Sequence, residues 1–213
     1  MEFLMIEVQT IPMGPFQVNC HILIDRGANE FVVIDAPMMF KLFDELLNAG
    51  LRAKWILLTH AHIDHIAALR PLKQKLNCPV AMHEKDSFLL GQVAGNPFQQ
   101  MLQASVPPDP DEWLTEDSLP KLGSQEIEVI HTPGHTPGSV SFYVPETGVF
   151  TGDALFLESI GRTDLPGGDT DILMTSIREK LFALPDVTTV FPGHGSDTTI
   201  GHEKKFNPFV QHP

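Results

Sequence analysis

Cysteine is scarce in this chain, with two residues in 213. Neither Cys20 nor Cys78 sits in a Cys-x-x-Cys pair, so a disulfide framework is excluded. Basic residues are also few: 14 Lys and Arg stand against 27 Asp and Glu, for a formal net charge of −13. A chain this acidic lacks the Lys/Arg clusters that phosphate contacts need, so no nucleic-acid partner is expected. No apolar run approaches the ~20 residues of a membrane span, and no membrane partner is expected either. The N-terminal MEFLMIEVQT has no basic region ahead of an apolar stretch. The expectation is therefore no signal peptide and a cytoplasmic protein.

What is present is a globular mix, 42% hydrophobic and 19% charged, with 16 glycines and 18 prolines that predict many short turns. Short β-branched and aromatic runs predict strands over Phe3–Thr10, Gln17–Asp25, Phe31–Asp35, Trp55–Thr59, Pro79–Met82, Ile127–Ile130, Ser139–Val144, Val149–Thr151 and Thr189–Phe191. Helical spacing appears over Lys41–Ala49, which stops at Gly50, over Arg70–Leu76, and over Asp171–Leu184 with Asp169 or Thr170 as N-cap. The proline-rich stretch Gly95–Pro120 reads as a long surface excursion. Strands first, helices between, and strands again fit one domain over residues 1–213, with two sheets covered by helices on the outside.

One segment carries the chemistry: Thr59-His60-Ala61-His62-Ile63-Asp64-His65, directly after the apolar run Trp55–Leu58. On a helix His60 and His62 would diverge, whereas at a strand-to-loop exit a spacing of two puts them on one side. Asp64 and His65 then fall on the turning loop. Such a cluster is expensive to bury unless a metal ion pairs it. Three further loops each follow a predicted strand. His131-Thr132-Pro133-Gly134-His135 presents His135, Thr151-Gly152-Asp153 presents Asp153, and Pro192-Gly193-His194-Gly195 presents His194. Five histidines and two aspartates exceed the four ligands of one zinc and suit two ions sharing a carboxylate. The division places His60, His62 and His135 on one ion, Asp64, His65 and His194 on the other, and Asp153 across both.

In this order and at these separations, THAHIDH, HTPGH, TGD and PGHG resemble the metallo-β-lactamase fold superfamily over nearly the whole chain. Within it the sequence is similar to the short type II glyoxalase-like hydrolases, related to hydroxyacylglutathione hydrolase. That narrower resemblance rests on Thr151–Phe156, Gly161-Arg162-Thr163-Asp164, Gly167-Gly168-Asp169 and Asn207-Pro208-Phe209. It implies an α/β fold, a four-layer αββα sandwich, with a dinuclear site at one edge and metal roles on the seven residues just named. Ile66-Ala67-Ala68 stands where relatives often have glycine. Longer glyoxalase II enzymes add a C-terminal helical portion that contributes to glutathione binding, and the chain ends at 213 without it, which leaves the thiol carrier open.

The function expected is a dinuclear metal-dependent hydrolase of a small thioester. Two divalent ions, zinc first and iron or manganese also fitting the ligand types, would lower the pKa of a shared water to about 7 and supply hydroxide as the nucleophile. Asp64 and Asp153 are the expected catalytic carboxylates, one orienting the nucleophile and one holding the metal spacing. Arg162 and Asp164 are expected as an ion pair that fixes the loop behind the ligands, with Thr59 and Thr136 as supporting hydrogen-bond groups. His21, His83, His131, His202 and His212 receive no role, His83 being read as opening a helix. Cys20 and Cys78 read as small buried hydrophobes. Phe98, Met101 or Trp113 are expected to shape the substrate mouth. The alternatives are a persulfide dioxygenase with one iron and a non-catalytic scaffold. A β-lactamase with a cysteine ligand is disfavoured by Asp153, and a nuclease by the charge.

Overall fold

The computed structural model of the chain describes residues 6–210. The first sheet comprises β1 (Glu7–Met13), β2 (Val18–Asp25), β3 (Glu30–Ile34), β4 (Arg52–Leu57), β5 (Val80–His83) and β6 (Glu112–Leu114), side by side in that order. β1, β2 and β3 form an antiparallel meander, and β3 to β6 run parallel. A small hairpin, β7 (Lys121–Leu122) and β8 (Gln125–Glu126), leads into β9 (Glu128–His131), β10 (Val140–Val144) and β11 (Gly148–Gly152). A second hairpin follows, β12 (Leu155–Phe156) and β13 (Ser159–Ile160), and then β14 (Thr189–Pro192) and β15 (Thr198–Thr199). The second sheet has the order β15-β14-β11-β10-β9. Helices fill the connections: α1 (Leu42–Asn48), α2 (Ile63–Ile66), α3 (Leu69–Leu76), α4 (Ser87–Leu90), α5 (Thr170–Glu179) and α6 (Ile200–Phe206).

The layering follows from the two-residue period of the strands. Cys20, Ile22 and Ile24 of β2, with Phe31 and Val33 of β3, face Phe43 and Leu46 of α1 and Leu69, Leu72 and Leu76 of α3. The residues between them, Leu23, Val32, Ile34 and Leu57, face the other way and meet Val140, Phe142, Val144 and Phe150 of the second sheet. On that sheet's far side Val149 and Val190 pack on Leu173 and Ile177 of α5. Three apolar interfaces thus separate four layers, the αββα sandwich expected from the sequence.

Element boundaries differ in instructive places. Residues 3–5 of the first expected strand lie outside the described residues, and β1 runs on to Met13 in register with Val18. The helix expected over Asp171–Leu184 ends at Glu179 and continues as a 3-10 turn, Leu181–Ala183. Pro185 disfavours helical backbone at the residue before it, and Leu184 is extended. Asp169 is the N-cap, accepting a hydrogen bond from the Ile172 N–H. The excursion over 95–120 contains a strand, β6, which pairs with β5 rather than with a sequence neighbour. Leu102 and Ala104 take its buried positions and leave Met101 outward, and Trp113 sits on β6 at the sheet edge. Neither Met101 nor Trp113 lines the cavity described below; Phe98 does. His83 ends β5 and opens a helix as expected, a 3-10 turn over Glu84–Asp86 that it caps, its Nδ1 accepting from the Lys85 N–H.

Candidate metal centre

Four strand ends converge at one edge of the sandwich. The chain leaves β4 at Leu57, passes His60 and His62, and turns into the single-turn helix α2, which carries Asp64 and His65. The sequence places these two on a loop; a four-residue helix capped by His62 in extended conformation holds them instead. From the second sheet come His135, after β9, Asp153, directly after β11, and His194, after β14.

The structure brings all seven predicted residues together. Ligand-type atoms of His60, His62 and His135 lie within 4.8 Å of one another, as do those of Asp64, His65 and His194. A third triad, His60, His65 and Asp153, joins the first two. Asp153 Oδ1 is 3.4 Å from His65 Nε2, while its Oδ2 is 3.6 Å from both His135 Nε2 and His194 Nε2. Three of these buried atoms, His60 Nε2, His65 Nε2 and Asp153 Oδ1, have no hydrogen-bond partner among the described residues. Buried polar atoms left bare are rare and costly, and metal ions bound among them would satisfy all three. His62 Nδ1 donates to His135 Nε2 at 2.9 Å, so the two rings already meet at the point an ion would take.

Outward hydrogen bonds fix which nitrogen each ring offers. His135 Nδ1 donates to the Arg162 carbonyl at 2.7 Å, and His194 Nδ1 to the Phe16 carbonyl at 3.0 Å. His65 Nδ1 donates to Asp35 Oδ2 at 2.7 Å. The Thr59 hydroxyl donates to the same carboxylate at 2.8 Å, so its oxygen accepts from His60 Nδ1 at 3.0 Å. In each of these four imidazoles the proton sits on Nδ1 and the Nε2 lone pair is presented to the site.

Asp35, Asp86 and Asn19 complete the support, and sequence reasoning missed all three. Asp35 ends the β3 run in left-handed backbone, φ 63°, and also accepts from the Thr59 N–H at 2.8 Å. The fully buried Asp86 accepts from Ala61 N–H, the Thr136 hydroxyl and Gly138 N–H at 3.1, 2.8 and 2.6 Å, tying the His60 loop to the His135 loop. Asn19 Nδ2 donates to the Pro192 and Gly195 carbonyls, both at 2.9 Å, and its backbone N–H to Gly193, so β2 holds the His194 loop. The available signal was a polar residue closing or opening an apolar strand at the same edge as the histidine motif. Close approach explains two glycines: a Cβ at Gly193 would overlap Asp153 Oδ1, and one at Gly152, itself at φ 51°, would overlap Thr59.

The electrostatics follow from burial and mixed charge. Burial holds His60 well below the ordinary imidazole range and His62 at about 4. Burial also opposes charge on His65, but the Asp153, Asp35 and Asp64 carboxylates outweigh it and hold that ring well above the range, so in the metal-free site Nε2 also carries a proton, which an incoming ion displaces to reach the lone pair. Burial raises the Asp86 carboxyl. Both cysteines are buried, and burial pushes the Cys78 thiol up to about 12, so neither is a nucleophile.

Arg162 and Asp164 form the expected pair, doubly hydrogen-bonded at 2.7 and 2.8 Å on the surface. It is the Arg162 carbonyl, not its guanidinium, that touches a candidate ligand. His21, His83, His131 and His202 all lie outside the cluster and have hydrogen-bond partners; His212 lies outside the described residues. A cavity of about 530 Å³ opens over His62, Asp64, His135, Asp153 and His194.

The sequence profile described as Metallo-beta-lactamase superfamily matches residues 13–194. Hydroxyacylglutathione hydrolase GloC of Haemophilus influenzae is 38% identical over 210 residues, covering 95% of this chain and 97% of that protein. Among solved structures, the BLEG-1 B3 metallo-beta-lactamase superposes with a TM-score of 0.87 at 39% identity, covering 97% of this chain and 100% of that one. TTHA1623 in a di-iron-bound form gives 0.83 at 40% identity, covering 95% and 100%.

Proposed function

This chain belongs to the metallo-β-lactamase superfamily as a metal-dependent hydrolase, and from that premise we propose that it cleaves a small thioester at a two-metal site. The observation that carries the reading is the set of interlocked triads around bare His60 Nε2, His65 Nε2 and Asp153 Oδ1. His60, His62 and His135 would hold one ion, Asp64, His65 and His194 the other, with the Asp153 carboxylate reaching both. Such a pair supplies Lewis acidity and acidifies water to a pKa of about 7. The name of the Haemophilus relative supports thioester hydrolysis as the reaction class, and the di-iron neighbour supports occupancy by two ions. Zinc, iron and manganese all suit imidazole and carboxylate donors.

The chain's own groups do the remaining work. Asp64 is partly open to the cavity and orients the attacking water through a carboxylate oxygen. Hydroxide from that water forms the new acyl carbon–oxygen bond, the carbon–sulfur bond breaks with its electron pair on sulfur, and the proton left on the new carboxyl passes to the departing thiolate, giving a carboxylate and a free thiol in the open cavity. Asp35, Thr59 and the Arg162 and Phe16 carbonyls keep the four rings from rotating during that change.

The test is to count metals per chain and assay S-lactoylglutathione hydrolysis on the same protein. Near two metals per chain and turnover that disappears in His60→Ala and Asp153→Ala support the proposal. One iron per chain with oxygen uptake on glutathione persulfide replaces it with a dioxygenase. Cleavage of a cephalosporin but of no thioester replaces the substrate class. Full biological activity in His60→Ala makes the chain a scaffold.

A further inference from the structure

Away from the candidate ligands the cavity is walled by Phe16, Ile63, Leu89, Val93, Phe98 and Leu165, with Gln92 and Asn96 as its uncharged polar groups. Phe16 comes from the turn between β1 and β2 and Phe98 from the excursion after α4, yet their rings meet edge to face, with centroids 5.4 Å apart at 84°. They are 38% and 48% exposed, an aromatic pair left at the mouth of a pocket instead of in a core. Both are anchored. The Phe16 carbonyl accepts from His194 Nδ1, and the Phe98 N–H donates to Asn96 Oδ1 at 3.0 Å. Among the described residues the one Lys or Arg on the lining is Arg162, whose Nε and Nη2 edge is paired with the Asp164 carboxylate. Glutathione carries two carboxylates and one ammonium. Here, among the described residues, it would meet no Lys or Arg on the lining other than that paired guanidinium, on a chain with a formal net charge of −13.

Resting on the thioester reading above, we propose that the preferred substrate has an apolar acyl group seated against Phe16 and Phe98, and an uncharged thiol carrier in place of glutathione. Phe98 is the specificity-determining residue. Its ring supplies apolar contact that a small acyl group cannot use, and its position at the mouth lets it discriminate by length.

Four thioesters test this on wild-type protein with its metals counted: acetyl and phenylacetyl, each on glutathione and on N-acetylcysteamine. The expected result is kcat/KM about tenfold or more higher for phenylacetyl than for acetyl on either carrier. N-acetylcysteamine is expected to exceed glutathione, by a margin that narrows as salt rises from about 0.05 to about 0.5 M. Phe98→Ala is expected to bring the phenylacetyl-to-acetyl ratio down toward one, through KM, and Phe98→Leu to keep most of it. Circular dichroism and metal content confirm that each variant is folded and loaded. Preference for the glutathione esters, or a ratio that Phe98→Ala leaves unchanged, overturns the inference and leaves thioester hydrolysis standing. Failure of the two-metal protein to cleave any of the four overturns the inference, and failure on S-lactoylglutathione as well overturns the thioester reading with it.

Discussion

Asp35→Asn isolates the group that sets two imidazoles at once. The carboxylate accepts from Thr59 N–H, the Thr59 hydroxyl and His65 Nδ1–H at 2.8, 2.8 and 2.7 Å, and the residue is 1% exposed. Asparagine tolerates the left-handed backbone at φ 63° as well as aspartate does, so the change acts on the side chain and not on the turn. With its carbonyl at the Oδ2 position asparagine strands the Thr59 N–H; with the carbonyl at Oδ1 it keeps that N–H and turns its amide toward the Thr59 hydroxyl and His65 Nδ1–H, of which the hydroxyl can rotate away. Either way one buried donor lacks an acceptor, so the metal-free protein should lose about 1–3 kcal/mol. The Thr59 hydroxyl, released from Asp35, is free to turn its proton toward His60 Nδ1, which favours the wrong tautomer there as well as at His65. Loss of such outer hydrogen bonds typically lowers metal affinity about 10–100-fold. Urea unfolding of the metal-free protein reads the first number, and competition for metal against a chelator reads the second. A variant that unfolds at the wild-type midpoint and competes equally well would refute the assignment of Asp35 as the group that orients the rings.

Other changes probe separate parts of the same frame. His21 is buried between Thr10 Oγ1 and the Pro192 carbonyl, and burial holds it at about 4. Its unfolded value is about 6.5, so its contribution is complete above that pH. As pH falls toward 4 the unfolded chain takes up a proton the folded one refuses, and about 3 kcal/mol is lost. In pH-dependent unfolding, His21→Gln should show a shallower loss over that window; an unchanged slope counts against it. Asp86→Ala strands three buried donors from two ligand loops and should cost at least about 3 kcal/mol, measured by denaturant titration. Gly193→Ala should fold but bind its metals poorly, because the new methyl overlaps Asp153 Oδ1; a fully metal-loaded variant is the contrary result.

What the sequence made legible was whatever the chain writes locally. His60, His62, Asp64 and His65 are neighbours, and the turns presenting His135, Asp153 and His194 carry their own glycines and prolines. All seven meet in the structure. Asp35, Asp86 and Asn19 were illegible because their partners lie 24 to 176 positions away, and a single aspartate or asparagine at a strand end reads as turn chemistry. Strand β6 was missed for a related reason: three residues in a proline-rich stretch have no periodicity, and they become a strand only against β5. The apolar periods that did show, in β2, β3, β10 and α5, gave the layers because each alternation answers to a different interface.

Each triad draws donors from both sheets: His60, His62, Asp64 and His65 follow β4, whereas His135, Asp153 and His194 follow strands of the other sheet. Neither half of the molecule alone assembles a complete set. An ion seated in any triad therefore acts as a rivet across the sandwich, and its binding energy stabilises only the docked arrangement. Selection among competing metals would thus occur late, after the two halves have closed, and release would require them to loosen. Demetallation should accordingly be slow and should follow the opening of the sheet interface, as an hourglass follows its neck.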